Sequence, residues 1–255
     1  MRLRQVCLVA EILEPVVADL TGVLGLDVAY RDPLVIYFGL ENAVMPVNGD
    51  FLEVVAPVQE NTTAGRYLER RSGNGGYMVL LQCGDAQSER ERITGLGIRS
   101  VFTLDNPEYR CTHFHPRDTG GVLLSVDSVA PEADPTERMC MWEPGGPDWE
   151  EAVRADVVSG LVGAEIQSDD PAGLAELWAR ILGLPLTECG SGEPHIKLEN
   201  GSIRFAPAAD GRGPGVGAFD LQVVNRARLL AAAEERGCEY TEDQVVICGT
   251  RINLV

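Results

Sequence analysis

The chain repeats itself, and the repeat restricts its architecture more than any single motif does. A strand near 4–10, a helix over PVVADLTGVLG, then LDVAY, LVIYFGL and the strand NGDFLEVVAP reappear within residues 161–207 as LVGAEIQS, PAGLAELWARILG, LPLTE, HIKLE and NGSIRFAP. Both copies carry Leu-Gly-Leu after the helix (Leu24 to Leu26, Leu182 to Leu184) and Asn-Gly before an apolar strand that ends in Ala-Pro. The apolar residues of each helix fall at helical spacing, and a glycine stands where a C-cap belongs. A second pair of segments, GGYMVLLQCGDAQSERERITGLGIRSVFTL and VGAFDLQVVNRARLLAAAEERGCEYTED, superposes without a gap from Gln82 on Gln222 to Gly97 on Gly237. Each predicts strand, helix, glycine and strand, and two short strands follow: YRCTHFHP with GGVLLSVD, and QVVIC with TRINLV.

These units predict an α+β fold of four βαβββ modules. One such module cannot close a core, so modules pair into curved mixed sheets with helices outside, and the concave face becomes the natural ligand cup. The expected organisation is two tandem domains of two modules each, residues 1–127 and 159–255. Residues 128–158 hold four prolines, a Gly-Gly pair and many acids, and read as the linker. Trp142 and Trp149 within it are expected to pin the crossing segment onto a domain face, because an indole buries a large area.

Composition narrows the function. Lys and Arg number 21 against 39 acids, a net charge of −18 that repels phosphate backbones and anionic membranes, so neither nucleic acid nor membrane is an expected partner. A local cluster such as Arg66, Arg70 and Arg71 leaves room for an anionic small ligand. No apolar run reaches the roughly 18 to 20 residues that span a bilayer, and acidic residues interrupt any signal-like start. The seven cysteines are spread singly without a CxxC pair, which points to reduced thiols and a cytoplasmic protein. A homodimer is left open.

With the modules and the segment HPRDTGGVLLSVD (His115 to Asp127) in view, the chain resembles the vicinal oxygen chelate superfamily: glyoxalase I, methylmalonyl-CoA epimerase, extradiol dioxygenases and bleomycin-resistance proteins. That segment is similar to the HPKD, Gly-Gly, LVEL ending of the epimerases. The resemblance implies tandem glyoxalase-like domains. It also implies that a metal, where relatives hold one, would sit at the places of Gln5, Glu53, Met78 and Ser125. A Gln, Glu, Met, Ser set suits neither hard cations nor zinc-like ions, so no cofactor is expected, although Glu53 and Gln5 are legitimate oxygen donors to a divalent metal. In the C-terminal half the matching places fall at Gly163, Ile203 or Arg204, Ala218 and Asn253, which carry no ligand set and suit a structural partner or a second, purely binding cup.

Glu53 stands out because Phe51, Leu52, Val54 and Val55 surround it, and burying a carboxylate is costly unless it is paired or protonated. Desolvation would raise its pKa and suit it to general-base work; the alternative is a glutamate on the solvent side of an edge strand. His113 and His115 alternate about Phe114 and so share one strand face. His115 is either a second proton carrier or the cap of the turn before Pro116, and His113 is a substrate-binding candidate or a structural residue. His195 precedes a predicted strand and reads as exposed.

The leading reading is a metal-poor protein acting on a small carbonyl compound or acyl-CoA thioester by isomerase or lyase chemistry. Glu53 moves a proton, Gln5 and Ser125 donate to the developing oxyanion, and Met78 lines the wall. The alternative is a small-molecule binding protein without turnover. An extradiol dioxygenase would need two histidines and a carboxylate around iron, which the C-terminal half lacks.

Overall fold

The computed structural model describes residues 1–129, 137–188 and 193–255; Cys189, most of the expected CGSGEP turn and linker residues 130–136 lie outside that set. The chain opens with β1 (Arg2–Val9), buried throughout, and α1 (Leu13–Leu24). Leu13, Val16, Val17, Leu20, Val23 and Leu24 make the buried stripe of α1, and Gly25 ends it in the left-handed region (φ 67°). A Cβ at Gly25 would also lie 2.6 Å from Val157 Cγ2, so conformation and space both require glycine there.

The segment LVIYFGL departs from expectation. Instead of a strand it forms a 3-10 helix over Pro33–Phe38. The Asp32 carboxylate accepts the Leu34 N–H at 2.8 Å, Pro33 presets the first turn, and Gly39 (φ 72°) closes the end by donating to the Ile36 carbonyl at 2.9 Å. LDVAY contributes only an isolated bridge between Tyr30 and Val44. Pairing moves instead to β2 (Leu40–Val47), which forms a hairpin with β3 (Asp50–Pro57) in which Val47 faces Asp50. Pro46 is tolerated in β2 because that strand ends its sheet.

A helix outside the repeat follows, α2 (Thr63–Arg71), capped by the Thr62 hydroxyl on the Gly65 N–H. It disperses the expected arginine cluster. Arg66 donates to the Asn61 carbonyl and to Thr63, Arg70 lies 5.3 Å from the Tyr67 ring centroid, and Arg71 is buried.

The remaining elements follow the modules: β4 (Gly75–Gln82), α3 (Ala86–Gly95), β5 (Ser100–Asp105), β6 (Tyr109–Phe114) and β7 (Leu123–Val129). Short 3-10 turns at Glu143–Gly145 and Trp149–Ala152 lead to β8 (Val158–Ser168), α4 (Pro171–Leu182), β9 (Leu186–Glu188), β10 (Pro194–Lys197) and β11 (Ser202–Pro207). The last module is β12 (Gly215–Val223), α5 (Arg226–Glu235), β13 (Glu239–Tyr240), β14 (Gln244–Ile247) and β15 (Thr250–Leu254). Asp85, Asp170 and Asn225 cap α3, α4 and α5 through side-chain oxygens.

Two mixed sheets result, one of seven strands ordered β2-β3-β1-β4-β7-β6-β5 and one of eight ordered β13-β14-β15-β12-β8-β11-β10-β9. All strands before the linker belong to the first and all strands after it to the second. This is the α+β fold of tandem glyoxalase-like domains.

By packing, the described residues gather into two compact units, each drawing on both sides of the linker. The first comprises Met1–Arg4, Tyr77–Met141 and Val162–Gly217. Its centre includes Trp178, fully buried, which donates to the Thr119 carbonyl at 2.9 Å and meets Phe205 edge-on. Arg92 donates to the carbonyls of Arg180 and Ile181 at the end of α4, where the helix dipole and orphan acceptors favour a cation. The second unit comprises Gln5–Gly76, Trp142–Leu161 and Ala218–Val255. There α1 packs on α5, with Arg236 paired to Asp19 at 3.0 Å. No helix among the described residues is long and apolar enough to cross a membrane, and the six described cysteines are free thiols.

Candidate functional site

The second unit places Glu53 at the centre of a polar cluster on otherwise apolar strands. In the parallel pairing of β1 with β3, Gln5 faces Phe51 and Cys7 faces Glu53, so the side chains of these four residues share one face. In the antiparallel pairing of β2 with β3, Val44 faces Glu53, and Asn42 lies two residues further along the same face. The opposite face is wholly apolar where these strands meet: Val6, Leu8, Ala43, Met45, Leu52 and Val54 are all buried.

Both Glu53 oxygens accept amide hydrogens, Oε1 from Asn42 Nδ2 at 2.7 Å and Oε2 from Gln5 Nε2 at 2.8 Å. Each amide has its orientation fixed from behind. Gln5 Oε1 accepts the Trp142 indole N–H at 2.8 Å, and Asn42 Oδ1 accepts the Asp32 backbone N–H at 2.8 Å. Flipping either amide would set donor against donor behind and oxygen against carboxylate in front. The cluster is therefore built to receive an acceptor-only group, and a carboxylate is one.

Burial nonetheless pushes the Glu53 pKa above the ordinary carboxylate value; hydrogen bonds from Asn42, Cys7 and Gln5 oppose the shift, and the Asp32 charge adds to it. Glu53 as a residue is half-buried. Beneath it the Cys7 thiol is pushed well up, first by burial and then by the Glu53 charge, so it is a neutral donor rather than a nucleophile.

The linker covers this face. Trp142 stacks on Phe51 with centroids 6.4 Å apart, and Trp149 meets the same ring edge-on at 4.9 Å, as the sequence led one to expect of both indoles. Gly145 permits the approach, since a Cβ there would lie 2.7 Å from Phe51 Cε1. A surface depression of about 470 Å³ lined by Asp27, Ala29, Pro147, Asp148 and Glu151 lies beside this segment and does not include Glu53.

The other residues singled out in sequence belong to the first unit. Met78 and Ser125 are buried, and the Ser125 hydroxyl donates to Asp127 Oδ1 at 2.5 Å, with Tyr109 donating to Oδ2 at 3.0 Å. His113 faces Ser125 across β6 and β7 and packs against Phe102; burial lowers its pKa to about 4, so its imidazole is neutral. His115 caps its turn, its Nδ1 accepting the Arg117 N–H at 3.1 Å. Sequence reasoning had no signal for Asn42, Cys7 and Trp142 as partners of Glu53 and Gln5.

The repeat can now be aligned by register. Gly25 and Gly183 end α1 and α4 in the same left-handed conformation, and Glu165 faces Arg204 as Cys7 faces Glu53. Arg204, not Ile203, therefore occupies the place of Glu53. His195, expected ahead of its strand, lies within β10 and is half-buried.

No curated protein matches the sequence. Among solved structures, a mutant 4-hydroxymandelate synthase from Streptomyces coelicolor aligns over 93% of this chain and 75% of its own, at 15% identity and a TM-score of 0.67. A Mn(II)-bound glyoxalase from Novosphingobium aromaticivorans aligns over 99% of this chain and 81% of its own, at 14% identity and a TM-score of 0.65. Methylmalonyl-CoA epimerase from Mycobacterium tuberculosis aligns over 51% of this chain and 89% of its own, at 23% identity and a TM-score of 0.45. The likeness to the synthase and to the glyoxalase shows the shared fold. The model of the glyoxalase-like domain matches residues 6–182, and the chain belongs to that family, within the vicinal oxygen chelate superfamily.

Proposed function

We propose that the chain catalyses proton transfer on a small carbonyl compound, an acyl thioester being the first class to try, with Glu53 as the base. One observation carries this reading: the carboxylate of a half-buried glutamate, its pKa raised, is held by two amides whose orientations are fixed. Burial raises the pKa and so strengthens the base, while the amide donors favour its ionised form. A carboxylate has about four acceptor positions, so two amide hydrogens leave others for a substrate C–H. Gln5 and Asn42 are positioning residues here, because their donors are spent on Glu53.

The donor set does not fit a divalent ion. The Gln5 oxygen is engaged by the Trp142 indole, its nitrogen faces Glu53, and among the described residues no three His, Cys, Asp or Glu side chains converge.

A test follows solvent deuterium into acyl-CoA and simple α-substituted carbonyl substrates with chelator-treated protein, using the wild type and Glu53→Gln. Exchange by the wild type, reduced about 100-fold or more in the variant with its fold intact, supports the reading. Exchange that needs added metal, or that survives the substitution, overturns it. The cover of Trp142 and Trp149 over Phe51 favours a second reading, binding without turnover, which thermal stabilisation by a substrate that never exchanges would select.

A further inference from the structure

One apolar stretch of the second unit is not packed away. The 3-10 helix Pro33–Phe38 reads PLVIYF, yet none of its residues is buried. Tyr37 is 82% exposed, and Leu34, Ile36 and Phe38 are each about half exposed. Three residues make one turn of such a helix, so Leu34 and Tyr37 lie on the same side of it. Val58 joins them, because its N–H donates to the Gly39 carbonyl at 2.9 Å, and it too is about half exposed. Single exposed apolar side chains are ordinary on a protein surface, whereas a cluster of this size marks a contact.

Charge and area together say what covers it. No charged residue occurs from Pro33 to Leu40, in a chain whose net charge is −18. Charges within about 8 Å of one another still interact at physiological ionic strength, so two copies repel wherever their acidic surfaces meet. A charge-free patch is where they can approach. A basic partner would be drawn to the acidic faces instead, and an anionic membrane is repelled. Two aromatic rings and three aliphatic side chains at these exposures leave on the order of 500 Å² of apolar surface, high for a patch on a monomer. Placed face to face, two such patches bury about 1,000 Å², the lower bound for a specific interface. The depression of about 470 Å³ beside Asp148 includes none of these residues.

We infer that this patch is a homodimer contact, in which a second copy of the chain presents the same five side chains across a two-fold axis. Such an interface is self-complementary, so each substitution enters it twice. Its small size places the dimer in exchange with monomer at micromolar concentrations. The contact does not depend on proton transfer at Glu53, and its test uses no substrate.

Sedimentation velocity of the full chain from about 1 to 200 μM tests the inference, a range suited to an interface of this size. The wild type is expected to pass from monomer to dimer, and to do so at lower concentration when added salt screens the like charges. Tyr37→Asp should weaken dimerisation at least tenfold. Val101→Asp puts the same charge on another exposed apolar residue, in β5, and should leave dimerisation unchanged. Where a variant fails to fold, hydrogen exchange of the wild type gives a second readout: the amides of residues 33–39 must become more protected as concentration rises. A wild type that stays monomeric, dimerisation undiminished in Tyr37→Asp, or equal weakening by the two substitutions overturns the contact. So does a monomeric wild type that binds phosphatidylcholine vesicles through Tyr37, which would make a lipid surface the occupant.

Discussion

Replacing Glu53 by glutamine sets two opposing terms against each other, and their pH dependence separates them. Gln5 and Asn42 both direct nitrogen at Glu53, each fixed by a donor behind it, so an amide at position 53 must turn one N–H toward another. A buried donor left unsatisfied costs about 1–3 kcal/mol. Below the ordinary glutamate pKa the wild type is itself protonated and places an O–H against the same donors, so wild type and variant should differ there by under about 1 kcal/mol. With the folded-state pKa raised, the wild type binds its proton more tightly folded than unfolded. That contribution is present at acid pH and lost as pH rises through the folded pKa, whereas glutamine contributes nothing that titrates. The variant must therefore gain on the wild type as pH rises, by about 1.4 kcal/mol for each pKa unit of elevation. Urea denaturation of both proteins at pH 4.5, 6 and 8 measures the difference, and titrating groups that do not interact with Glu53 cancel. A variant that loses ground with rising pH would show that the amide donors outweigh desolvation and that Glu53 is an ordinary or acidified carboxylate.

Trp142→Phe keeps the stack on Phe51 but removes the indole N–H from Gln5, and should cost about 1–2 kcal/mol in urea denaturation, against about 3–5 kcal/mol for Trp142→Ala. His113 is held neutral with its pKa depressed to about 4, so its contribution is present above the ordinary histidine value and lost as pH falls from about 6.5 toward 4. Imidazole NMR should show no titration of His113 between pH 6 and 8, and His113→Gln should flatten the acid limb of the stability profile. Arg92→Ala removes the cation from the last carbonyls of α4 and should lower stability by about 1–2 kcal/mol in urea denaturation, with the far-ultraviolet spectrum retained.

Much of the architecture was legible because the local signals agreed with each other. The apolar spacing of α1 and α4 coincides with glycines that adopt the left-handed conformation, so periodicity and punctuation give one answer. LVIYFGL misled because an apolar run of that length fits a strand by composition alone. The deciding marks were Asp32-Pro33 at its start and Gly39 at its end, and the exposure of Leu34, Ile36, Tyr37 and Phe38 comes with the tight turn they make. α2 was hidden because its sequence is strongly polar and has no counterpart in the repeat. At the site, Glu53 could be picked out because a carboxylate among apolar strand residues is costly wherever it falls. Its environment could not, since Trp142 comes from the linker and Asn42 from a strand that the sequence did not reveal. The role of Gln5 changed for the same reason: a glutamine looks like a free donor until the indole behind it is known.

The placement of the three tryptophans gives the molecule its own optical reporters. Trp142 and Trp149 both rest on Phe51 in one packing unit, while Trp178 is sealed beneath Thr119 in the other. A chain carrying Trp178 as its sole indole would emit from the first unit alone, and one carrying Trp142 alone would emit from beside Gln5. Comparing their fluorescence during unfolding would tell whether the two units melt as one body or in succession, without any attached dye.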